Sequence, residues 1–245
     1  MPALAPTPHR IAALDLARTL ALAAMVVFHF TFDLMLFGHV APGTVFNGFW
    51  PYFARGIASS FLFLAGVSLW LAHGNGIRWS AFLRRFAVVA GAAALVSVAT
   101  YYGMGAQFIR WGILHAIAAG SVIGLAFLAA PVALTLGVAV LAFAAPHLIR
   151  SEVFDTPWLL WVGLSRDVPQ MMDYEPLLPW LCPVLLGIVA ARVAGRAGLW
   201  VRLRRWRPLG PLAALCWPGR HSLAIYLIHQ PVLFSSVWAY TYFSN

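Results

Sequence analysis

Four ionisable side chains interrupt the first long apolar stretch of the chain, Ile11 to Gly38: Asp15, Arg18, His29 and Asp33. Polar groups at membrane depth are costly and usually face a bundle interior or a wet cavity, where they mark a functional path. Arg18 and His29 are eleven residues apart. On a helix turning ~100° per residue they differ by roughly 20° in azimuth and about 16 Å in rise. Asp15 lies three residues before Arg18 and Asp33 four beyond His29, both same-face spacings. One stripe therefore carries a cation near its start and a His/Asp pair near its far end. A guanidinium in this setting either snorkels with its carboxylate to orient the helix, or forms an anion site reached from the cytoplasm, where its planar fork suits phosphate. An imidazole beside a carboxylate is either a packed polar group or a general base with its ring oriented. His39, ten residues on, is a loop histidine or a second base at the same mouth.

A second set lies farther along. Arg110 and His115 sit in AQFIRWGILHAIAAG at a spacing of five, poor for sharing a face. They read as a snorkelling arginine and a packed histidine, or as a second wall of one wet cavity. Asp173 and Tyr174 precede EPLLPW in an acidic, proline-rich mouth. That mouth is solvated surface, or it holds the hydroxyls or amine of a sugar. His221 and His229 read as a helix-end and a bundle histidine, with no role assigned. No phosphate-cradling glycine loop, metal-ligand spacing or serine nucleophile elbow is present, so no metal is expected.

The elements that must position these groups are helices in a bilayer. The 245-residue chain is 62% hydrophobic and 9% charged, with a mean hydropathy of +0.83. Soluble domains carry about 25% charged residues. Long unbroken apolar runs favour an all-α polytopic bundle over a barrel. The spans predicted are 11–38, 52–73, 81–101, 107–129, 131–147, 177–195 and 221–241. This makes about seven spans (six to eight) in one domain covering 1–245; seven with the N-terminus inside satisfy the charge bias, and a re-entrant piece at Trp158–Val162 would raise the count. All 16 basic residues are arginine. Seven of them lie in Arg192 to Arg220, a stretch with no acid that is assigned as a cytoplasmic loop. Five of the seven acids lie in 150–176, assigned as an outer loop. The positive-inside rule then sets the N-terminus in the cytoplasm, and anionic headgroups of the lipid bilayer, not nucleic acid, account for the net charge of +9. The first apolar segment is too long for a cleavable signal. Cys182 in a helix and Cys216 in the cytoplasmic loop are not expected to pair. Arginine, alanine and glycine in place of lysine suggest a GC-rich bacterial genome, hence the plasma (inner) membrane.

These residues carry a resemblance. ALDLARTLALAAMVVFHFTFDL resembles the first helix of the heparan-alpha-glucosaminide N-acetyltransferase catalytic-domain family in its small bacterial form, within the transmembrane acyltransferases. FLFLAGVSL, IRWGILHAIA, DYEPLLPWLCPVLLGIVAAR and HSLAIYLIHQPVL resemble later stretches of the same family, in order. The Arg18–His29 spacing also matches the Arg-x10-His motif of bacterial membrane acyltransferases that decorate surface sugars. The resemblance implies that acetyl-CoA is taken from the cytoplasm and a saccharide amine or hydroxyl is acetylated on the outer side. It assigns Arg18, beside Asp15 and helped by Arg84 or Arg85, to the CoA phosphates. His29 then removes the acceptor's proton with Asp33 orienting the ring, and the second set, Arg110, His115 and Asp173, is left to the acceptor. Lysosomal relatives carry an Asn and then a luminal His; His29 stands at the Asn position and His39 at the luminal His. Which of the two is the base stays open, as does direct transfer versus an acetyl-His intermediate. Those relatives pair up, which makes a homodimer one option. The competing class is a small transporter or flippase using the same stripe as a proton or substrate path; it lacks an inverted repeat.

Overall fold

The computed structural model describes residues 10–244. They form helices α1 (Ala12–Leu36), α2 (Trp50–His73), α3 (Trp79–Met104), α4 (Ile113–Phe127), α5 (Val132–Leu148), α6 (Leu177–Arg196), α7 (Leu199–Arg205), α8 (Pro211–Arg220) and α9 (Ser222–Ser244). Five are long and apolar enough to cross a membrane: α1, α2, α3 with its 3₁₀ extension to Gln107, α6 and α9. At about 1.5 Å per residue, the 15 residues of α4 and the 17 of α5 span roughly 22 and 25 Å. Both fall short of a hydrocarbon core of about 30 Å. The segment at Trp158–Val162 contains one 3₁₀ turn, Leu160–Val162, too short to cross.

The chain divides into two compact units, one made of the N-terminal part to Ile57 with the part from Ala194 onward, the other of Ala58–Val193. In the first unit α1 packs against α8 and α9. The buried face of α1 presents Asp15, Leu22, Met25 and Asp33, while Leu20, Val27, Phe30 and Leu36 are exposed apolar residues suited to lipid. The helix stops where Gly38 takes φ +80°. The His39 N–H then reaches Leu34 O (2.8 Å) and the Gly38 N–H reaches Met35 O (3.2 Å), a Schellman closure that needs glycine. Four contacts run along α1 and α9 in the same order: His29 with His229, Asp33 with Gln230, Phe37 with Phe234 and His39 with Thr241. The two helices are therefore parallel.

The stretch 192–220, expected as a loop, contains α7 and α8 instead. Its arginine density reports a side of the membrane and says nothing about helicity. α8 is seated on α1: Cys216 is fully buried, with its thiol toward Ala12 O at 3.8 Å. A Cβ on Gly219 would lie 1.8 Å from Asp15 O. Cys182 and Cys216 are free thiols.

In the second unit the core gathers Leu69, Phe82, Leu128, Ala139, Leu181, Leu185 and Ile188. α2 and α6 touch backbone to backbone. A Cβ on Gly66 would lie 2.0 Å from Val184 O, and one on Gly187 2.1 Å from Phe63 O. Such small-residue seams bring membrane helices together where lipid supplies no hydrophobic drive. Arg192 donates to Ala130 O, Leu128 O and Phe127 O, satisfying carbonyls at the end of α4 that no helical N–H reaches.

Candidate active site

α4 begins at Ile113, not at 107, because the preceding residues are committed elsewhere. The Met172 N–H donates to Gln107 O and the Glu175 N–H to Trp111 O, so 108–111, past the 3₁₀ turn that ends at Gln107, is held non-helical beside 172–175. Arg110 therefore precedes α4, its guanidinium 4.7 Å over the Phe108 ring. Gly112 caps the helix. His115 Nδ1 accepts the Gly112 N–H at 3.2 Å, and its Nε2 lies 3.3 Å from Ser97 Oγ. Asp173 Oδ2 accepts the Ile113 N–H at 3.1 Å. A carboxylate at a helix N-terminus also meets the positive end of the dipole. All three residues proposed for an acceptor thus have a place at the start of α4, with the polar atoms of His115 and Asp173 engaged there. His115, Trp111 and Trp161 help line a groove of about 470 Å³ whose walls are otherwise apolar, including Phe86, Ala93 and Val122.

Burial raises the Asp173 carboxyl from 3.8 to about 6, against the opposing pull of the Ile113 N–H. Its folded pKa exceeds its unfolded one, so its contribution to stability is full below about pH 4 and is lost as pH rises through 6. Asp173→Asn keeps an acceptor for Ile113 without the charge. We expect its melting temperature in detergent to exceed wild type by a few degrees at about pH 8 and to converge with it near pH 4. A wild-type advantage at the alkaline end would contradict this.

The α1 stripe lies in the other unit, and its two ends differ in kind. At the N-terminal end Asp15 is 2% exposed and faces three guanidiniums. Arg18 Nη1 is 3.0 Å from Oδ1, Arg220 Nε is 3.4 Å from Oδ2 and Arg10 Nε is 3.9 Å from Oδ2. One negative against three positive charges leaves a local excess of two, the sign an anionic ligand requires. The neighbouring turn is pinned by Thr19, whose hydroxyl donates to Leu215 O at 2.6 Å and accepts the Gly219 N–H at 2.9 Å. This holds Arg220 at the site. Sequence reading missed Arg220 and Arg10: the first is 205 residues from Asp15 (220 − 15) and the second lies before the helix. Arg84 and Arg85 are exposed on the first turns of α3, in the other unit.

At the far end Asp33 is fully buried. Its Oδ1 accepts Gln230 Nε2 at 2.8 Å, so the carboxylate is tied to α9 and not to the ring of His29. The i, i+4 spacing allowed either partner; the amide across the helix interface took the bond. His29 lies edge-on to His229, ring centroids 4.9 Å apart. His229 Nδ1 is 2.6 Å from Tyr226 O. His39 is exposed, with Nε2 2.6 Å from Thr241 Oγ1; it marks the helix end beyond the buried pair. Among the described residues no group of three or more His, Cys, Asp or Glu side chains could hold a metal ion.

Chemically, the stripe offers a cationic anchor and, along an unbroken helix, the half-buried His29 and the buried Asp33, which meet His229 and Gln230 of α9. No curated protein and no solved structure matches the chain. The family model for heparan-alpha-glucosaminide N-acetyltransferase, catalytic, matches residues 10–231. With its apolar spanning helices and a match over most of its length, the chain belongs to that family and is a membrane acetyltransferase.

Proposed function

We propose that the protein takes acetyl-CoA at the cytoplasmic face of a bacterial inner membrane and acetylates a saccharide amine or hydroxyl at the outer face, working as a single domain. The observation that carries this reading is α1. It is one continuous helix from Ala12 to Leu36, so Arg18 and His29 keep their separation of about 16 Å along the axis. CoA has phosphates at one end and its thioester at the end of a long arm, and a separation of this size suits that arm. Arg18, with Arg220 and Arg10 around Asp15, supplies the anion end. An imidazole at the far end takes the acceptor's proton, and α1 contributes His29 there. Planar guanidiniums favour phosphate because they bind it through two parallel hydrogen bonds. The parallel course of α1 and α9 supports an odd number of spans, five or seven, with the two termini on opposite sides and the N-terminus inside.

The test is sidedness. In vesicles of one orientation, radiolabelled acetyl-CoA is enclosed at the cytoplasmic face and glucosamine is supplied at the other. The expected result is labelled N-acetylglucosamine outside and free CoA thiol inside. Movement of glucosamine with no consumption of acetyl-CoA would replace this reading with the transporter one.

A further inference from the structure

Among the described residues, three buried side-chain atoms at the α1–α9 interface lack a hydrogen-bond partner: Asp33 Oδ2, His229 Nε2 and Gln230 Oε1. An unpaired buried polar group costs about 1–3 kcal/mol, so three in one place demand an explanation. Their chemistry is uniform. Gln230 gives its amide N–H to Asp33 Oδ1, which turns Oε1 into the free atom. A carbonyl can only accept, so the 2.6 Å contact between His229 Nδ1 and Tyr226 O fixes the proton on Nδ1. In the neutral ring the lone pair then lies on Nε2. All three atoms accept hydrogen bonds, and a group that satisfies them must bring donors.

We propose that His229 is the catalytic base of the transfer, and that Asp33 Oδ2 and Gln230 Oε1 seat the remaining N–H or O–H donors of the acceptor. This rests on the acetyl-transfer reading and goes beyond it by moving the proton from His29 to His229. The two histidines differ in what holds them. Among the described residues no hydrogen bond fixes the ring of His29, whose aromatic neighbours are Phe28 and His229. His229 has its tautomer set by its own helix and its basic nitrogen free, the arrangement a general base needs. The ionisable groups on the two packed helices near it are His29 and Asp33 of α1 and Tyr226 of α9. In the step itself, the acceptor nitrogen or oxygen attacks the thioester carbonyl carbon of acetyl-CoA. The new C–N or C–O bond forms and the C–S bond breaks. One acceptor proton passes to His229 Nε2 and then to the departing sulfur, giving CoA thiol and neutral His229.

The experiment compares His229→Asn with His29→Asn. The asparagine at 229 retains a donor for Tyr226 O and lacks the base. Acetyl-CoA binding, glucosamine-dependent CoA release and the pH dependence of kcat/KM are measured for both. For His229→Asn the expected result is binding within about twofold of wild type, turnover lower by ~10²–10⁴, and no acid limb in the residual activity. His29→Asn keeps that limb. Turnover of His229→Asn within about threefold of wild type would overturn the proposal, as would an acid limb that disappears only in His29→Asn. A wild-type protein that releases no CoA sinks the transfer reading itself, a result distinct from a silent His229. Should His229→Asn fail to fold, nitrogen NMR of histidine-labelled wild type decides. A proton on Nδ1, with an Nε2 signal that shifts when glucosamine is added, supports the assignment, and a proton on Nε2 removes it.

Discussion

Gly187→Ala is expected to lower the melting temperature of the detergent-solubilised protein by roughly 6–12 °C, about 3 kcal/mol at this chain size. The added methyl would lie 2.1 Å from Phe63 O and 3.0 Å from both Phe63 C and Val67 N. These are backbone atoms and cannot rotate aside, so α2 and α6 must separate. The separation also disturbs Gly66, which presses on Val184 O from the other side of the seam, and loosens Leu62, Val184 and Ile188, each at most 1% exposed. Gly91→Ala is the control. It is the same substitution in a long apolar helix, α3, with nothing within 4 Å of the new Cβ. There the gain in helix propensity acts alone, and the variant is expected to match wild type or exceed it slightly. Equal effects at the two positions would mean the α2–α6 contact is not the close one described.

Arg18→Ala is expected to reduce kcat/KM for acetyl-CoA by ~10–10², the loss of one charge-assisted hydrogen bond at about 1.5–3 kcal/mol. The fold is expected to survive. Removing one member of a buried ion pair is usually damaging because it strands the other, but Asp15 keeps Arg220 at 3.4 Å and Arg10 at 3.9 Å. The lost activity therefore reports ligand binding and not unfolding. Arg18→Lys, which restores the charge without the planar fork, is expected to recover only part of the loss. Full recovery would reduce Arg18 to a point charge.

The extent to which these sites could be read from the sequence follows the range of the interactions that build them. α1 was legible almost to the residue, because an apolar run ending in a left-handed Gly38 is a local signal. The Asp15–Arg18 pair was legible for the same reason, at a spacing of three. The start of α4 was not: Gly112 ends the extended segment because Asp173, 60 residues away, accepts the Ile113 N–H. α8 was hidden by the arginines of 192–207 before it, which read as a loop until Cys216 and Gly219 are seen against α1. The tie between Asp33 and Gln230 spans 197 residues, and no periodicity along one helix can announce a partner on another. His229 was passed over because a single histidine in an apolar helix is ordinarily a packed group. What singles it out is the carbonyl that holds one nitrogen and the missing hydrogen-bond partner of the other, buried one.

The central claim is that Arg18 holds the phosphate end of the donor while the chemistry occurs near His29. The direct test is a truncated donor. Acetyl-pantetheine keeps the thioester and the pantetheine arm and lacks the nucleotide phosphates. Arg18→Ala is expected to lose ~10–10² in kcat/KM with acetyl-CoA and nothing with acetyl-pantetheine, whereas His29→Ala affects both donors alike. If Arg18→Ala lowers both donors equally, or neither, the guanidinium is not the phosphate anchor and the α1 ruler is contradicted.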